Sequence, residues 1–181
     1  MALTLNEEST PAAVAGAVRL FTDTSNRPAC LDENGTVALI ARSQVVRKTA
    51  QTQVVNASTA LVNDDALLFA IAASENWAGT ITLFVDTNVA AGIKVAATVP
   101  AGATLRLGVE LFTAAAAGAI DTTTSSGTAI GTTAAITKVN VQLLVLNSTN
   151  AGNVQLQWAQ NASNGSDTKV LTNSFMRVEK F

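Results

Sequence analysis

The stretch from Thr137 to Asn147, TKVNVQLLVLN, has an apolar residue at every second position. Val139, Val141, Leu143 and Val145 fall on one side; Lys138, Asn140, Gln142 and Leu144 fall on the other. Successive side chains of a strand point to opposite faces, so this spacing predicts a strand with one face in a core. The same alternation recurs in TITLFVD (80–86), where Ile81, Leu83 and Val85 oppose Thr80, Thr82 and Phe84. It recurs again in TLRLGVEL (104–111), with Leu105, Leu107 and Val109 facing away from Arg106 and Glu110, and in NVQLQWAQ (153–160), with Val154, Leu156 and Trp158 inward. Two sheets packed face to face need this pattern on both inner layers.

Working outward, strands are expected at residues 54–61, 67–73, 80–85, 93–99, 104–111, 136–146, 153–160 and 169–179. Turn-rich clusters separate them: NDD at Asn63, SENWAG at Ser74, DTNVAAG at Asp86, PAGA at Pro100 and NASNGSD at Asn161. Short strands at such intervals, with no helical period, predict an all-β antiparallel sandwich or barrel over residues 53–181. Residues 43–52, next to Arg42 and containing Arg47 and Lys48 but no turn formers, read as a linker. Residues 1–42 form a smaller unit, a β-meander with strands at 17–22 and 37–42. In it Asn34-Gly35 supplies the positive-φ pair that a two-residue hairpin turn requires, joining 30–33 to 36–40. Three such short strands are marginal alone. Residues 114–135, almost all Ala, Thr, Ser and Gly, read as a long loop with a frayed strand, or as a patch of small side chains packing on a neighbouring subunit.

Composition narrows the function. Of 181 residues, 48% are hydrophobic but only 13% charged; 33 are Ala, 24 Thr and none His or Tyr. Charged residues usually make up about a quarter of a domain, so small uncharged polar residues must cover this surface. A net charge of -2 with scattered basic residues argues against nucleic acid, whose phosphates demand clustered Lys and Arg. No apolar run approaches the roughly 20 residues of a membrane-spanning helix. The N-terminus, MALTLNEEST, has neither the basic nor the apolar region of a secretory signal, and one Cys, Cys30, forms no internal disulfide. Synthesis in a reducing cytoplasm is the expectation.

Catalytic chemistry is hard to assemble from these residues. Without His the usual general base and transition-metal ligand are missing, and a Cys/His nucleophile is excluded. A serine nucleophile would need a Lys partner, but SQVVRK lacks the Ser-x-x-Lys spacing, and GAIDTTTSSGTAIG lacks the Lys of a phosphate loop. The carboxylate pairs Glu7-Glu8, Asp32-Glu33 and Asp64-Asp65 invite an acid/base or calcium reading. Adjacent strand residues diverge, however, and Asp commonly bonds its own backbone in turns. Neither Asp64-Asp65 nor Asp86 sits in a calcium-loop spacing. No catalytic, cofactor-binding or metal residue is therefore assigned. The N-x-Ser/Thr triplets at Asn56, Asn147, Asn161 and Asn164 read as accidents of composition. Trp158 reads as core and Trp77 as a turn residue; two Trp are too few for a sugar platform.

Three stretches carry a resemblance to a known group. TPAAVAGAVRLFTDTSNRPACLDENGTVALI (10–40) resembles the N-terminal region of tailed-bacteriophage virion proteins, with a Pro/Ala lead-in, a short strand and a D-x-x-G-x hairpin. NDDALLFAIAASENWAGTITLFVDTNVAAGIKVAATVPAGATLRLGV (63–109) is similar to a domain recurrent in phage and prophage structural proteins, and SFMRVEKF (174–181) resembles its closing strand. Residues 114–135 have no counterpart there. The resemblance implies a jelly-roll-like β-sandwich displayed on the capsid exterior. It also implies a homotrimer serving as a capsid decoration (cement) protein, with residues 1–42 attaching it to the major capsid protein. The alternatives it leaves are a head fibre or a tail-fibre, receptor-binding protein that attaches to host surface glycans. A secreted carbohydrate-binding module and an enzyme are the remaining, weaker classes.

Overall fold

The computed structural model describes residues 19–22, 28–31, 37–39, 43–113, 119–125, 129–132 and 134–181, and every regular element among them is a strand. The chain divides into two compact units, Met1–Ser43 and Gln44–Phe181.

The smaller unit is a three-stranded antiparallel meander of β1 (Arg19–Thr22), β2 (Pro28–Leu31) and β3 (Val37–Leu39), in that order. Leu20 faces Cys30, and Cys30 faces Ala38. Phe21, Ala29 and Leu31 form its buried cluster, and Cys30 is a free thiol. The Asn34-Gly35 turn, Glu7-Glu8 and Asp32-Glu33 lie outside the described residues.

The larger unit is a two-sheet sandwich. Its small sheet runs β10 (Ile130–Thr132), β7 (Ile93–Thr98), β12 (Gly152–Ala159), β5 (Val62–Ile71). Its large sheet runs β4 (Ser43–Arg47), β14 (Phe175–Lys180), β6 (Asn76–Asp86), β11 (Ile136–Leu146), β8 (Thr104–Thr113), β9 (Ala119–Ser125), with β13 (Lys169–Val170) also pairing to β6. From β5 onward the chain passes back and forth between the sheets, so β6, β8, β11 and β14 share one layer while β5, β7, β10 and β12 share the other. Ile81, Leu83 and Val85, Leu105, Leu107 and Val109, Val139, Val141, Leu143 and Val145, and Val154, Leu156 and Trp158 meet in one core, as their alternation requires.

Several expectations are corrected. Residues 43–52, expected as a linker, contribute β4 to the edge of the large sheet and place Lys48 fully inside the protein. Residues 54–61 form no strand. Val55 makes one isolated bridge with Thr168, and side-chain amides hold the rest: Asn56 Nδ2 donates to the Gly165 carbonyl at 2.7 Å, and Gln160 Oε1 accepts from the Ser58 N–H. The expected strand at 169–179 is split into β13 and β14 by a turn at Asn173, whose φ of 67° is the left-handed conformation that Asn tolerates. Trp77, placed by its neighbours in a turn, is the second residue of β6 and is buried against Phe69, ring centroids 5.4 Å apart. Within 114–135 the described residues carry two strands, β9 along β8 and β10 along β7. Thr122, Thr123 and Thr124 pair there with Glu110, Val109 and Gly108.

Candidate functional site

A charged cluster lies inside the sandwich where the edges of both sheets come together. β4 ends the large sheet and β5 ends the small one. Just past β4, Lys48 is fixed by its main chain: its N–H donates to the Ser174 carbonyl and its carbonyl accepts from the Asn173 N–H, each at 2.8 Å. Its side chain has no solvent exposure.

The partner comes from an irregularity in β5. Asn63 pairs with Gln157 and Leu68 with Gln155, so residues 64–67 bulge opposite Leu156 alone. Three glutamines fasten the bulge. Gln155 Nε2 donates to the Asp64 carbonyl at 2.9 Å, Gln157 Nε2 to Asn63 Oδ1 at 2.8 Å, and Gln53 receives the Asp65 N–H while donating to the Asn63 carbonyl. NDD thus keeps its turn chemistry, but inside a strand: Asp64 Oδ1 accepts the N–H groups of Ala66 and Leu67 at 3.0 and 2.9 Å. The bulge re-aims two consecutive carboxylates at one cation. Lys48 Nζ contacts Asp64 Oδ1 at 3.2 Å and Oδ2 at 3.1 Å, and also bonds Asp65 Oδ1. Trp158 Nε1 donates to Asp64 Oδ2 at 3.2 Å, and Thr52 Oγ1 donates to Asp65 Oδ2. Asp64 and Trp158 are wholly buried, whereas the Asp65 side chain is 37% exposed.

Asp64 and Asp65, singled out as a possible metal pair, therefore converge on an ammonium. Asp86 lies exposed at the end of β6, paired in register with Lys169. No group of three or more metal-ligating side chains occurs among the described residues. Lys48 is the residue that sequence reasoning missed: flanked by Arg47, Thr49 and Gln51, it looks like any solvated cation, and its partner lies in another sheet. Asn147 and Asn164 fasten loops. Asn147 Nδ2 donates to the carbonyls of Ala72 and Asn150, and Asn164 Oδ1 accepts the Ser166 N–H.

A second buried acid sits at the start of β6. Glu75 Oε2 accepts from the Ala72 N–H at 2.9 Å and from Trp77 Nε1 at 3.2 Å, while Lys180 Nζ meets Oε1 at 2.7 Å. Burial pushes this carboxyl up. The bonds from Lys180, Ala72 and Trp77 outweigh burial and hold it below the usual carboxylate range.

The outward face of the large sheet is the broadest surface of the sandwich. Across it run Arg177, Thr80, Gln142 and Gly108 in register, then Glu179, Ala78, Leu144 and Arg106. Two shallow depressions of about 490 and 500 Å³ flank Gly79, where small residues leave the backbone uncovered.

No family model and no curated protein matches the chain. Among solved structures it is similar to the Gx strain of infectious bursal disease virus at 14% identity and a TM-score of 0.18, over 84% of this chain and 45% of that one. The Gt strain of the same virus gives 12% and 0.20, over 90% and 50%, and a mutant VP2 protein of that virus in derived T=1 particles gives 10% and 0.20, over 80% and 41%. The chain spans half or less of each of these, a likeness too slight to carry a fold or a role.

Proposed function

We propose that this chain is a non-enzymatic structural protein of a tailed-bacteriophage virion, a trimeric decoration (cement) protein that binds the outer capsid and stabilises the head. The observation that carries the reading is the division into an arm and a body. The sandwich has a continuous core of its own, and the three-stranded unit before it is a separate compact piece in which, among the described residues, Phe21, Ala29 and Leu31 are buried together. Strands of four, four and three residues make a short ladder, and pairing them with the edge of a capsid-protein sheet would extend it. The rest of the molecule suits a body held in many copies. It is braced without disulfides, and the middle of its widest face, Ala78, Thr80, Gln142 and Leu144, is uncharged, with Arg177 and Glu179 to one side and Arg106 to the other.

Binding to purified capsids separates the arm from the body. A chain lacking residues 1–42 is expected to lose capsid binding while remaining folded, and the full chain on the particle is expected to occupy sites in threes. Wild-type affinity in the truncated chain would overturn the attachment role, and single copies on the particle would overturn the trimer.

A further inference from the structure

We propose that Lys48 and Asp64 condense into an intramolecular amide bond, with Asp65 carrying the protons, so that the two sheets of the sandwich are joined covalently at their shared edge. A buried lysine facing two carboxylates is ordinarily an ion pair, and removing both charges from water is costly for little net stability. Three features of this one go beyond charge pairing.

The first is approach. Lys48 Nζ lies 3.2 and 3.1 Å from the two oxygens of Asp64, facing the carboxyl group as a whole, and the backbones on both sides are pinned, Lys48 by residues 173 and 174 and Asp64 by its bulge. Holding two reacting groups at contact replaces a bimolecular encounter and is worth effective concentrations of roughly 10⁵ M or more. The second is the set of donors around the acid. The N–H groups of Ala66 and Leu67 both point at Oδ1, the oxygen that would carry negative charge in a tetrahedral intermediate, as an oxyanion site requires. Oδ2, which would depart, has the Trp158 indole N–H as its partner. The third is the second carboxylate. Asp65 bonds the same ammonium, is oriented by Thr52, and unlike Asp64 reaches solvent. It is placed to accept protons from the amine and to open a way out for water.

The step balances without a co-reactant. The Asp65 carboxylate takes a proton from the Lys48 ammonium, and the freed lone pair forms the Nζ–Cγ bond to Asp64. Asp65 relays protons to Oδ2, the Cγ–Oδ2 bond breaks, and one water leaves. Of the three ammonium protons, one stays on the amide nitrogen and two depart with Oδ2. The fully buried surroundings of Lys48, Asp64 and Trp158 keep bulk water from reversing the condensation. Each molecule reacts once with itself, so no turnover is implied.

The mass of the purified full-length chain decides the matter. The wild type is expected to weigh one water less than a Lys48→Arg variant after correction for the substitution, with fragment spectra linking Lys48 to Asp64. Asp64→Asn is expected to react with loss of ammonia in place of water, and Asp65→Asn to keep its full mass. Circular dichroism on each variant confirms that it is folded. A folded wild-type chain at its full sequence mass would overturn the proposal, leaving only an ion pair. A link to Asp65 would overturn the assigned roles, and a crosslink surviving in Asp65→Asn would remove the proton carrier.

Discussion

Glu75 shows at single-residue scale how the sandwich uses its few charges. Its carboxylate ties the Ala72 turn, the Trp77 ring and the Lys180 ammonium together, and those bonds hold its pKa below the unfolded value. A carboxylate lowered in this way contributes stability above its unfolded pKa, and that contribution is lost as pH falls through the folded value. Thermal unfolding of the wild type and of Glu75→Gln, compared from about pH 7 to about pH 3, should show the gap between them closing toward acid. At neutral pH the variant should be weaker by about 1–3 kcal/mol, the cost of losing hydrogen bonds to a charged group. Trp77 was misplaced in the sequence for a related reason. Ala73 and Ser74 form a turn, and nothing local says that a strand opens at Asn76. Trp158, in phase with Val154 and Leu156, announced its burial, since its neighbours alone determine its face.

At the scale of elements, legibility followed the regularity of the pleat. β11 is readable because an alternation runs from Lys138 to Leu146 between two neighbours, interrupted only at the register shift after Ile136. β5 was shortened because its first turn formers, Asn63 and Asp64, sit within the strand at the bulge, and a bulge looks like a turn until its partner strand is known. Residues 54–61 carry β-branched side chains but no strand lies beside them to pair with, and propensity without a partner makes no ladder. Gly79 lies between Leu143 and Val178, and a methyl group there would run into the Arg177 carbonyl oxygen and Val178 Cα. Gly79→Val should therefore push β14 from β6 and destabilise the sandwich by about 1–3 kcal/mol, the usual penalty of overpacking. In a unit of this size that lowers the melting temperature by about 2–4 °C per kcal/mol, measurable by calorimetry.

At the scale of the whole molecule, the boundary between the units falls at the first residue of β4. The sequence reading divides the chain after Arg42 and takes the next ten residues, SQVVRKTAQT, as a linker because they hold basic residues and no turn formers. A fragment of residues 43–181 should unfold as one cooperative transition close to that of the full chain, and a fragment of residues 1–42 should show no such transition, each followed by circular dichroism. Survival of cooperative unfolding in a fragment beginning at residue 53 would deny β4 and Lys48 their place in the core.

The passage of the chain from one layer to the other bears on how the protein is made. Apart from β8 with β9, no described strand of the sandwich pairs with the one next to it in sequence, and β6 waits for both β11 and β14. Local hairpins therefore give little early structure, and long segments must be closed into loops before any pairing rewards them, the condition under which all-β domains fold in milliseconds to seconds. As the chain leaves the ribosome, β6 emerges with its apolar face ready and one flank open until β14, Phe175–Lys180, is released. The interval between the synthesis of β6 and that of β14 is the window in which nascent copies would meet one another instead of themselves.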